Sequence, residues 1–258
     1  MIASLPTGEE FLALLRERTE ADWAAVTPRS LEAYERSGVG GYDWQPGTRW
    51  LGGLDEPAIA AAERHWGLRF PPEYRLFLRT LHTPDRPRAG YLYVDGSKLS
   101  AVERPSFYDW RPGHEGEPVS FRGLAGAFEW LYEGIFFSVQ HGYWPPPWGP
   151  MPSTMEERGL RVRELIAAAP RLIPIIDHSY LLAEPEGANN PVFSIYGPDT
   201  IVYAATFRST LLREFGHLLC NNHEERRMLR EDILAERDIA SGEPIPFWGE
   251  LSRWCRSG

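Results

Sequence analysis

Phe11, Leu12, Leu14, Leu15 and Trp23 recur at the spacing of one helix face, and the pattern stops before Pro28. Thr7 and Glu10 flank its start at capping-box spacing, which predicts reciprocal hydrogen bonds to the first free amides. A second helical stripe joins Ile59, Ala62, Glu63 and Trp66. Asp55 supplies its N-cap, Pro57 fits its first turn, and Gly67 stands where a left-handed residue closes a helix. After an extended link, Pro71 and Pro72 open a third helix carrying Tyr74, Phe77, Leu78 and Leu81. Residues 37–53 are Gly-rich and read as a loop or linker.

Six short segments then read as strands: 90–94, 135–140, 171–176, 179–184, 191–196 and 200–205. Each is β-branched or aromatic and bounded by Gly, Pro, Asn or Asp. Pro174 places its strand at a sheet edge or a bulge. The turn signal "YGPDT" pairs the last two as an antiparallel hairpin. Helices are predicted over 154–168, 206–220 and 223–240, the last with a thin apolar stripe at Leu229 and Ile233. Arg227 and Glu231 can pair on it, worth a few tenths of a kcal/mol. This order predicts an α+β fold: a mostly antiparallel sheet with helices packed on one side, plus N- and C-terminal helical extensions.

Composition narrows the partners. The chain carries 36 acidic against 27 basic side chains, a net charge of −9. A general nucleic-acid binder needs a basic face, so that class is disfavoured. An acidic surface suits a basic protein partner, and it serves equally to keep a protein soluble. Two cysteines, Cys220 and Cys255, form no disulfide framework and fit a reducing compartment. The first residues lack a basic segment before an apolar run, and no stretch approaches the roughly 20 apolar residues of a membrane span. A soluble, cytoplasmic protein without membrane contact is the expectation.

Catalytic motifs are not found. No nucleophile elbow, His-Glu-x-x-His, Walker loop or dinucleotide fingerprint occurs. Gly38-Val39-Gly40-Gly41 has no preceding strand and no following Lys-Ser/Thr. His217, Cys220 and His223 have ligand types that suit zinc. However, the two histidines lie about 240° apart around a helix, with no evident fourth ligand. Asp177 and His178 are adjacent, so on a strand they face opposite sides, and a turn is the better reading. Glu129 and Glu133 lie near aromatics without a partner that marks a raised pKa. No catalytic residue, metal ligand or cofactor is therefore assigned.

The segment "LDEPAIAAAERHWGLRFPPEYRLFLRTL" (54–81) resembles the opening of SUKH-superfamily domains, the group that includes the fungal cell-wall assembly regulator. Ile59, Glu63, Gly67, Pro71, Pro72, Tyr74 and Leu78 occupy the positions of its helix, link and second helix, with Phe70 where Leu is commoner. A second stretch, 169–215, is similar to the family's Leu-Ile-Pro strand, its "NPVF"-like strand, its final hairpin and its closing helix. Residues 129–153 resemble a tryptophan-rich insertion of bacterial members. The resemblance implies a domain over 50–216, an N-terminal helical extension and linker over 1–49, and a C-terminal helical extension over 217–258. It implies a binding fold without shared catalytic residues. Bacterial members are similar to immunity proteins that neutralise a toxin partner by direct contact.

Two aromatic loops are the candidate partner-binding surface. The 95–118 loop carries Phe107, Tyr108 and Trp110, and "HGYWPPPWGPMP" (141–152) carries Tyr143, Trp144 and Trp148. Aromatics among charges and prolines make the anchors that interfaces prefer. The prolines of the second loop also fit a rigid segment packed on the body, and flanking aromatics make it a poor polyproline ligand. The alternative function is a small-molecule-binding protein or enzyme with a pocket lined by Trp130, Tyr143, Trp144 and Trp148. Glu129, Glu133 or His141 would supply its polarity.

Overall fold

The computed structural model describes residues 1–93, 98–104, 106–116, 123–183, 190–242 and 244–257, the last four by backbone alone. Val94 and Glu184, which end two predicted strands, lie outside the described residues. So do residues 95–97, 105, 117 and 118 of the predicted long loop, and the Cys255 side chain.

Helices α1 (Gly8–Ala25) and α2 (Leu31–Ser37) lead to the short strand β1 (Gly41–Asp43). Then come α3 (Glu56–Trp66), α4 (Pro72–Thr80), β2 (Arg88–Tyr93), β3 (Leu99–Arg104), α5 (Leu124–Gln140) and α6 (Met155–Ala168). Four strands follow: β4 (Leu172–Ile176), β5 (Ser179–Leu182), β6 (Val192–Tyr196) and β7 (Asp199–Ala204). Helices α7 (Phe207–Phe215), α8 (His223–Ala240) and α9 (Trp248–Ser257) close the chain. The strands form two antiparallel sheets, ordered β1-β2-β3 and β4-β5-β6-β7. The class is α+β, as predicted.

Local chemistry explains the α3–α4 unit. The Asp55 side chain accepts from the Ala58 amide at 2.8 Å. Gly67 closes α3 at φ +61°, a conformation costly to residues with a Cβ. Glu63 then accepts from the Phe70 amide at 2.8 Å and pairs with Arg75 at 2.9 Å, tying helix, link and next helix together. At α1 the expectation fails. Thr7 is the N-cap residue, but its side chain makes no capping hydrogen bond. A capping box forms instead at α6, between Thr154 and Glu157.

The four-stranded sheet is covered on both faces, which corrects the expectation of helices on one side. Ile173, Ile175, Leu181, Val192 and Ala204 pack with α1, α3, α4, α7 and α8 in one core. Leu172, Tyr180, Leu182, Phe193, Ile195 and Val202 pack with α5, α6 and α9 in the other. Alternation along a strand sends successive side chains to opposite faces. Bulges keep the faces in phase. One lies at Pro174/Ile176 on the edge strand β4, where the proline predicts it, and one at Val192/Phe193. Each large side chain buried on either face contributes roughly 1.5–3 kcal/mol. Both terminal regions belong to these cores. Leu15 and Trp23 of α1 and Leu229 of α8 lie in the first, and Trp248 of α9 lies in the second.

The predicted strand at 135–140 is the end of α5. Its buried residues, Leu131, Ile135 and Val139, recur every fourth position, and Phe137 between them is exposed. That is a helical phase, so β-type composition yields here to packing. The predicted irregular stretch contains β3. The small sheet is fastened to the β4–β5 turn by Asp177, which stands at φ +49°. Asp177 accepts from Arg88 at 2.6 Å. It also forms an ion pair with Arg104 at 2.8 Å.

Candidate protein-docking surface

Four of the six predicted anchors are interior. Phe107, Tyr108 and Trp110 are 2%, 3% and 2% exposed, and Trp148 is 5% exposed. Phe107 lies 5.3 Å from both Trp50 and Phe77 by ring centroids. The Tyr108 hydroxyl donates to the Asp177 carbonyl, and Trp110 Nε1 donates to the Tyr74 hydroxyl at 2.7 Å. Trp148 stacks on Phe247 and meets Tyr143 and Trp144 edge-on. Trp144 Nε1 donates to the Gly149 carbonyl at 2.9 Å, closing the loop on itself. These residues are corrected from interface anchors to core. Tyr143 and Trp144 remain half-buried on the same cluster.

Nor do the aromatics proposed for a pocket come together. Trp130 lies ten residues, about 15 Å of helix, before the end of α5 at Gln140. Its ring instead meets Tyr196 at 5.4 Å. Glu129 is paired with Arg163 at 3.1 Å. His141 Nδ1 bonds the Phe137 carbonyl at 2.7 Å, one turn back.

The outer side of α5 is where exposed aromatics do converge. Trp130, Gly134, Phe137 and His141 fall within a sector of about 60° on a helix of 3.6 residues per turn. The β6–β7 turn presses on that stripe at Gly134, where a Cβ would come within 3.1 Å of the Gly197 backbone. The contact brings Tyr196 beside Trp130. Phe137 is 62% and Tyr196 61% exposed, the Phe137 and His141 rings are 4.4 Å apart, and His178 lies 6.4 Å from Tyr196. Burial lowers the His178 pKa against the opposing pull of Asp177. Glu133 and Asp199 are exposed on the same two elements. The inner side of α5 is locked in both cores, so the platform is rigid. Neither Phe137 nor Tyr196 is legible as a site in the sequence: composition places Phe137 on a strand, and strand periodicity does not say which face lies open. The helical recurrence of Leu131, Ile135 and Val139 was the available signal.

A polar cleft of about 340 Å³ opens elsewhere, beside Asp85, Asp109, Arg111 and His114. Burial opposes ionisation of Asp109, yet the neighbouring His82 and Arg111 outweigh it and hold the carboxyl well below the usual range. Arg111 Nε reaches both carboxylate oxygens at 3.0 Å. His82 Nε2 lies 3.0 Å from the Trp110 amide and 3.3 Å from Asp109, and one ring nitrogen serves only one of them. The buried Trp110 N–H points at Nε2, which accepts it in the shorter of the two contacts. Asp109 itself is engaged by Arg111. Among the described residues no three His, Cys, Asp or Glu side chains are grouped to hold a metal, and no helix is long and apolar enough to cross a membrane. Comparison with family models, curated proteins and solved structures finds no match to this chain.

Proposed function

We propose that this chain is a non-catalytic protein-binding module of SUKH type. Its role is that of a bacterial immunity protein, neutralising a basic toxin domain in the cytoplasm by direct contact. The observation that carries the reading is the pair Phe137 and Tyr196, large aromatics standing open on a rigid helix–hairpin platform. Exposed aromatics on a fixed backbone are the side chains that dominate binding energy at protein interfaces. Glu133 and Asp199 beside them, on a chain of net charge −9, favour a cationic partner and a fast, salt-sensitive encounter. The order of α3, α4, β4 to β7 and α7 supports the family assignment.

The test is titration calorimetry of the chain with the product of its neighbouring gene at low and high salt. A stoichiometric complex is expected that weakens with salt. Phe137→Ala and Tyr196→Ala should each weaken it by about 2 kcal/mol or more. No complex, or one indifferent to both substitutions, would overturn the proposal.

A further inference from the structure

A second concave surface lies between α7 and α8, a groove of about 330 Å³. Its floor is apolar, with Leu212, Leu229 and Ile233 at the bottom. Gly216 admits Leu229 there, since a Cβ at Gly216 would come 2.6 Å from the Leu229 Cδ2. Its rim carries three arginines: Arg213 on one wall, Arg226 and Arg230 on the other.

These arginines differ from their neighbours. Arg227 is neutralised by Glu224 and Glu231, and Arg237 by Asp238. Arg226 and Arg230 make no ion pair among the described residues, on a chain where acidic side chains outnumber basic ones by 36 to 27. Arg213 lies over the Tyr203 ring at 4.2 Å, donates to that residue's carbonyl, and makes no ion pair among the described residues. Unneutralised guanidinium groups around an apolar floor mark a place for an anionic, amphipathic ligand.

We propose that this groove docks an acidic amphipathic helical segment of a partner protein, at a site separate from the α5 surface. The distribution of charge selects that occupant. Arg226 and Arg230 stand four residues apart on α8, so positive charge runs for about 6 Å along that wall, with Arg213 across the groove. A single headgroup meets one end of such a rim. A helix with apolar anchors below and carboxylates on both flanks meets all of it, in the helix-in-groove mode.

The probe is a synthetic fluorescein-labelled helical peptide with Leu at i, i+3 and i+7 and Glu at the flanking positions, followed by anisotropy. A matching peptide with Lys for Glu and the single-headed amphiphile dodecanoate are the comparison arms. The acidic peptide should bind saturably and the Lys peptide at least tenfold more weakly. The double variant Arg226→Glu/Arg230→Glu should cut acidic-peptide binding at least tenfold with an unchanged melting curve, since both side chains are exposed. Arg226→Gln/Arg230→Gln repeats the test should charge reversal disturb folding. Equal binding of both peptides, no binding of the acidic peptide, or double variants that bind like the parent chain would overturn the proposal. Dodecanoate binding without peptide binding would assign the groove to a carboxylate-headed lipid instead.

Discussion

Gly197 in the β6–β7 turn lies flat against Gly134 of α5: a methyl group on Gly197 would come 2.7 Å from the Gly134 carbonyl oxygen. This contact seats the hairpin tip on the helix and sets Tyr196 beside Trp130. Gly134→Ala ordinarily gains about 1 kcal/mol in a helix interior. Here the new Cβ would stand 3.1 Å from the Gly197 Cα, and the substitution should destabilise by roughly 1–3 kcal/mol, as overpacking does. Gly197→Ala should cost at least as much, because its φ of +64° also disfavours a side chain. Urea denaturation measures both, and a stabilised Gly134→Ala protein would show that the contact is looser than described.

Exposed aromatics that serve binding contribute little to folding. Phe137→Ala and Tyr196→Ala should leave unfolding free energy within about 0.5 kcal/mol of the parent chain, the range for surface substitutions. A loss of several kcal/mol for either would mean that its ring is part of the core.

The proline-rich loop makes the opposite prediction. Trp148→Ala removes a ring stacked on Phe247 in the second core and should cost about 3–5 kcal/mol. Trp144→Ala, half-buried, should cost distinctly less. Equal and small effects would return the loop to the list of exposed surfaces.

Acid should weaken the fold in two steps. Burial lowers the His178 pKa, so the unfolded chain takes up a proton that the folded chain resists. That contribution is complete above about pH 6.5 and falls as the pH drops through that value. Asp109 is depressed in the same sense, the neighbouring His82 and Arg111 outweighing burial. Its contribution is complete above about pH 4 and is lost below it. Urea midpoints measured across this range should lose the upper step in His178→Gln and the lower step in Asp109→Asn. A parent chain whose midpoint is flat between pH 7 and pH 5 would remove His178 from this account.

Local rules settled the elements whose causes are local. Asp55, Gly67 and Pro72 bound α3 and α4 through caps and a fixed φ, and each acts within a few residues of itself. Pro174 announced an edge strand with a bulge because a missing amide excludes a central position. The turn at Gly197 announced its hairpin for a similar reason. Tertiary structure alone decided what covers what. Nothing near Trp110 in sequence says that Tyr74 waits to accept its indole hydrogen, nor does anything near Trp148 foretell Phe247, so aromatic loops and aromatic core look alike along the chain. The same holds for the strand whose alternating faces both turned out to be buried. Phe137 lies open because α5 turns its Leu131–Val139 stripe inward against the sheet. Exposure is a property of the packed whole, fixed by contacts between residues far apart in the chain.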